Sequence, residues 1–136
     1  MALVGAADYD RNNDTRPVVP VTGPDPDAHL PLKAVDAAIL IVLARGPLHG
    51  YGIVKAMEDD SGGAIRLEPG NFYRYVRRLT DAGLVAKAGR AATPEAADER
   101  RQYLQVTRLG RSVLAAEARR LRALVDAAET ALEAGP

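Results

Sequence analysis

Arg74, Arg77 and Arg78 lie close together in the segment Asn71-Phe72-Tyr73-Arg74-Tyr75-Val76-Arg77-Arg78-Leu79. At about 100° per residue, a helix through this segment sets Arg74, Arg77, Arg78 and Asp81 opposite Phe72, Val76 and Leu79. Arginine at such a face has a definite chemistry. Its planar fork bonds two acceptors at once, on a guanine edge or a phosphate, whereas lysine acts more as a point charge. Asn71 and Tyr73 fall at the entrance of the same helix, where an amide and a hydroxyl reach phosphate oxygens or base edges. The residue types therefore suit recognition of a polyanion. A charged helix face is also ordinary solvated surface, so the surrounding elements have to decide between the two.

Composition removes the competing chemistries. The chain has no cysteine, and its two histidines, His29 and His49, have no ligand-spaced partners, so neither a disulfide framework nor a metal site is expected. No Ser/His/Asp or Cys/His set and no convincing carboxylate pair can be read, and Gly62-Gly63 lacks the Lys-Ser/Thr ending of a phosphate loop. No enzyme activity and no cofactor are expected. The longest apolar run, Ala37 to Ala44, is far short of a membrane span, and the first residues lack the regions of a signal peptide. A cytoplasmic protein with no membrane partner follows. The formal charge is zero but unevenly spread, with three basic against five acidic residues over 1–35 and ten against five over 66–111. A local basic surface is hidden by the total.

Residues 1–31 hold Pro17, Pro20, Pro24, Pro26 and Pro31 and no sustained period, and read as a disordered leader whose acidic balance disfavours DNA. Periodicity begins near Leu32. A first helix is expected over 32–45, apolar on almost every side and ended by Gly46-Pro47. A second begins near His49 or Gly50, with His49 as its cap and Tyr51, Ile53, Val54 and Met57 turned inward, and stops at Ser61-Gly62-Gly63. Residues 65–67 read as a short strand or extended link. The arginine-faced helix opens after Pro69-Gly70 with Asn71 as cap and ends at Gly83. Two strands over 84–88 and 101–107, joined by a polar loop carrying Arg100 and Arg101, make a hairpin in which Tyr103 packs. Thr107 caps a last helix reaching about Ala134, although Gly110 near its start costs about 1 kcal/mol relative to Ala. Along that helix Leu114, Ala118, Leu121, Val125, Ala128 and Leu132 alternate in steps of four and three, a heptad seam that needs a partner helix or its own domain to cover it.

The fold class is thus mainly α with a small β-hairpin: a winged helix-turn-helix over 32–107, preceded by the leader 1–31 and followed by a dimerisation helix over 108–136. In such a motif the second helix enters the major groove, a part that falls to 71–82. Four stretches are similar to the PadR family of bacterial regulators across roughly residues 36–125. Gly46-Pro47-Leu48-His49-Gly50-Tyr51-Gly52 resembles its G-P-x-H-G-Y signature, and Leu67-Glu68-Pro69-Gly70-Asn71-Phe72-Tyr73 its L-x-P-G-x-[LF/I]-Y signature. Arg77-Arg78-Leu79 with Gly83-Leu84-Val85 is similar to R-R-L…G-L-I, and the run from Tyr103 to Gly110 to its Y-x-L-T-x-x-G ending. The resemblance implies autoregulation or control of neighbouring genes through DNA, a C-terminal dimerisation helix and, in some members, a small-molecule effector that releases DNA. It implies that Tyr51, Asn71, Tyr73 and Arg77 lie at or beside the DNA, to which the charge pattern adds Arg74, Arg78, Arg100 and Arg101. Arg74 and Tyr75 depart from the family's more usual Pro and small or aliphatic residue. The reading is a repressor that binds a pseudo-palindromic site in double-stranded DNA as a homodimer. The alternative is a winged-helix module whose basic face meets an acidic protein.

Overall fold

The computed structural model describes residues 25–88 and 102–136. At its centre is α1 (Ala34–Ala44), whose nearly continuous apolar sequence lets it be surrounded on most sides. Ile39, Leu40, Val42 and Leu43 are buried there. Each such side chain contributes roughly 1.5–3 kcal/mol on leaving water, which makes this helix the main anchor of the core. It is shorter than expected at both ends. Its last turn is closed by Arg111, which donates to the Ala44 carbonyl at 3.2 Å.

Around α1 pack α2 (Gly50–Asp60) and α3 (Pro69–Asp81), each apolar along one stripe. Ile53 and Met57, one turn apart, are the buried positions of α2, and Phe72 and Leu79 are buried on α3. Tyr51 corrects the sequence expectation: it is 75 % exposed rather than inward. Two residues before Ile53, it lies about 200° around the helix from the buried stripe. Residues 65–67 form the extended link, with the Ile65 N–H donating to Ser61 Oγ at 2.8 Å. Pro69 opens α3 as its first residue, where no N–H is needed, so Asn71 lies within the first turn and not at the cap. At the other end Gly83 takes φ +81, and its N–H and that of Leu84 donate to the carbonyls of Thr80 and Leu79. That left-handed stop satisfies the last carbonyls and drops Leu84 into the core.

The hairpin strands β2 (Val85–Lys87) and β3 (Tyr103–Val106) pair antiparallel, with Val85 opposite Val106 and Lys87 opposite Leu104. A third strand accompanies them. Leu48–His49, numbered β1, pairs with the other edge of β3, so the strand order is β1-β3-β2. A strand of two residues has no readable period, which is why only a hairpin was expected. His49 still caps α2, its Nδ1 accepting the Gly52 N–H at 3.3 Å.

The long helix α4 (Arg108–Ala134) is capped by Thr107, whose Oγ1 accepts from the Gly110 N–H at 2.9 Å and donates to the Gly83 carbonyl at 2.6 Å. Its first half lies on the domain through Gly110, Val113, Ala116 and Glu117. From residue 121 onward every position is exposed. The fold begins earlier than Leu32. A 3-10 turn at Pro26–His29 lies against α4, Leu30 and Leu32 pack on the core, and the Leu32 N–H donates to Glu117 Oε2 at 3.2 Å. The last residues of the expected leader therefore belong to the folded unit, held by two apolar side chains in a segment too short to show a period.

Candidate nucleic-acid interface

The ends of α2 and α3 and the sheet meet around aromatic side chains. His49, at the end of β1, stacks nearly parallel on Tyr51 with centroids 6.4 Å apart and meets Tyr103 edge-on at 5.5 Å. Phe72 fills the interior below and contacts Tyr73 at 5.7 Å. Tyr73 itself is 73 % exposed, matching Tyr51. Leaving two large aromatic rings in water forgoes the usual reward of burial, and a phenol presents an apolar body with a polar tip. An open groove of about 540 Å³ runs between them, lined among others by His49, Phe72, Lys87 and Gln102. Lys87 was not singled out from the sequence as a site residue. Its signal, the last position of an edge strand, becomes informative only once the strand is known to pass this groove.

Along α3 the arginines divide. Arg74 and Arg77 are exposed. Arg74 Nη2 donates to Asn71 Oδ1 at 2.6 Å, a surface contact that holds the two polar groups side by side. Arg78 behaves differently: its Nη2 donates to Asp36 Oδ1 and Oδ2 at 2.6 and 2.7 Å. That pairing raises its pKa, the hydrogen bond to Asp36 outweighing the opposing effect of burial. Arg78 is thus exposed like its neighbours, with 42 % of its side chain open, but is also paired within the chain. Arg100 and Arg101 lie outside the described residues. Tyr51, Asn71, Tyr73, Arg74 and Arg77 fall on the ends of α2 and α3 and along the outer side of α3.

The seam of α4 also divides. Leu114 is half-buried against its own core, whereas Ala118 and Ala128 are exposed, as are Leu121, Val125 and Leu132. Leu124, outside the seam, is exposed as well. Among the described residues no helix is long and apolar enough to cross a membrane, and no His, Cys, Asp or Glu cluster could hold a metal ion.

Helices α2 and α3 with a three-stranded sheet behind them define a winged helix-turn-helix, a DNA-binding fold. Residues 39–116 match the model of the transcriptional regulator PadR-like family. The chain belongs to that family, and so is a transcription regulator and not an enzyme. Among solved structures it is similar to a PadR family transcription regulator from Clostridium difficile, at 20 % identity and a TM-score of 0.59, covering 74 % of this chain and 99 % of that one. A transcriptional regulator from Clostridium thermocellum aligns at 21 % identity and 0.58, over 71 % and 87 % of the two chains. A PadR family transcriptional regulator from Eggerthella lenta aligns at 28 % identity and 0.52, over 70 % and 80 %. No curated protein matches the chain.

Proposed function

We propose that this chain is a repressor that binds a pseudo-palindromic operator in double-stranded DNA as a homodimer, with α3 in the major groove. The observation that carries the reading is the division of α3 into two sides. Phe72 and Leu79 are buried, while Tyr73, Arg74 and Arg77 stand outward beside the exposed Tyr51. Arg74 and Arg77 supply forks for guanine or phosphate, and Asn71, Tyr51 and Tyr73 supply the polar tips that reach the backbone at the helix entrances. Lys87 from β2 extends the positive surface along the duplex, and Arg100 and Arg101, which lie outside the described residues, are proposed as further DNA contacts on their charge alone.

One such helix reads only a few base pairs, so useful affinity calls for two half-sites about one helical turn apart and a two-fold interface. The exposed half of α4 suits that interface, with Leu121, Val125 and Leu132 turned to solvent and Ala118 and Ala128 allowing close approach. In this reading residues 108–136 are the dimerisation helix and the preceding domain is the DNA-binding unit. A dimer occupying its operator excludes polymerase from the overlapping promoter. Selection of bound duplexes from a random pool, repeated with the region upstream of the chain's own gene, tests this. Enrichment of a defined motif supports it, and binding to every duplex alike, or only to acidic proteins, contradicts it.

A further inference from the structure

Arg78, although 42 % of its side chain is exposed, pairs its charge with a carboxylate of its own chain. Asp36, in the first turn of α1, is only 6 % exposed. A buried carboxylate is tolerated when it is paired and hydrogen-bonded, and here both of its oxygens accept from one nitrogen of Arg78. The guanidinium also lies over the Tyr75 ring at 4.9 Å from its centroid, so it is held on two sides. Tyr75 is one turn before Arg78 on the same helix, and Arg74 and Arg77 flank these two residues. A contact that fixes Arg78 to the central helix therefore fixes the rotation of α3 about its own axis, and with it the directions of Arg74 and Arg77.

We propose that Asp36 and Arg78 form a positioning clamp between α1 and α3, which sets how the outer face of α3 is presented to DNA while Arg78 itself touches no DNA. The clamp rests on the reading that α3 enters the duplex. A phosphate contact and a clamp separate cleanly by salt. Each phosphate neutralised adds about 0.9 to the slope of log affinity against log salt, whereas a residue acting only on geometry adds nothing to it.

The test is titration of a duplex selected from a random pool, over a series of salt concentrations, with the full chain and its Asp36→Asn, Arg78→Gln, Arg78→Lys and doubly substituted (Asp36→Asn, Arg78→Gln) forms, all well below their melting midpoints. The clamp predicts that Asp36→Asn and Arg78→Gln each weaken binding about tenfold with the parental salt slope, the loss of roughly one well-placed contact. The double variant is then no weaker than either alone, because both remove the same interaction. Arg78→Lys keeps the charge but not the planar fork, and also falls short of the parent; it carries the test should Asp36→Asn not fold. A shallower slope, by about one, in Arg78→Gln with Asp36→Asn at parental affinity makes Arg78 a phosphate contact and overturns the clamp. Variants that melt earlier yet bind as tightly as the parent also overturn it. A parent that enriches no duplex fails before any substitution is made, which identifies the DNA reading as the fault and removes the clamp's role with it.

Discussion

Gly110 lies against the carbonyl of Leu84 so closely that a Cβ there would overlap the oxygen, and the same Cβ would meet Val106 Cγ2 at 2.7 Å. Glycine at the start of α4 is therefore the condition for the helix to rest on the sheet. Relative to Ala it costs about 1 kcal/mol in a helix, so propensity alone makes Gly110→Ala stabilising. Overpacking against a well-packed core costs about 1–3 kcal/mol, and the obstacle here is backbone. Gly110→Ala is expected to lower the melting midpoint by several degrees. A higher midpoint in thermal melting means that α4 sits further from Leu84 than described.

Arg74→Ala and Arg77→Ala are expected to weaken binding to the selected duplex with little change in melting, since both side chains are exposed. Loss of a base contact costs about 1–3 kcal/mol and relaxes preference at one position, whereas loss of a phosphate contact reduces the salt slope by about one. Affinity titrations on matched and single-mismatch duplexes distinguish these. Parental affinity in both variants removes α3 as the recognition element.

Glu117 is buried on α4, its Oε1 and Oε2 accepting from Arg120 Nε and Nη2 at 2.6 and 2.9 Å while Oε2 also accepts the Leu32 N–H. Those donors, Arg120 first, hold its pKa below the ordinary 4.5 against the opposing effect of burial. The unfolded chain thus takes up a proton before the folded one does. The stabilisation is complete above about pH 4.5 and is lost as pH falls from there through the lower folded value. Melting of the parent should drop across that acid range. Glu117→Gln should melt earlier near neutrality and show a flatter acid limb. An unchanged acid limb in Glu117→Gln places the titrating group elsewhere.

Most of the helical framework was legible, because 3.6-residue periods and glycine stops act over many residues: α1, α3 and α4 follow from apolar patterning, Gly83 and the Thr107 cap. Short or mutual features were not. β1 is two residues whose pairing with β3 exists only in three dimensions, and the 25–31 segment is anchored through Leu30 and, just after it, Leu32, whose N–H donates to Glu117. Tyr51 was misplaced because an aromatic residue near a helix start reads as core until the phase of Ile53 and Met57 is set. The pairing of Arg78 was not legible because a helical wheel does not show a carboxylate arriving from α1, 42 residues earlier in the chain.

The paired change Leu121→Asp with Val125→Asp is expected to give a folded monomer. Both side chains are already exposed in the single chain, so the domain core is untouched. In a symmetric interface each loss counts twice, and facing carboxylates would surrender hydration without gaining partners. Sedimentation of parent and variant at matched concentration reads this directly. A monomeric parent contradicts the assignment of α4.

The central claim is that two copies of α3, held by α4, read two halves of one site. It is tested most directly by measuring the affinity of the parent for the selected duplex and for a duplex of equal length carrying only one half-site, at the same salt. The account predicts a two-fold symmetric motif with half-sites about one helical turn apart, and binding to the full site tighter than to the half-site by at least about tenfold. Equal affinity for the two duplexes, or a selected motif without symmetry, contradicts it.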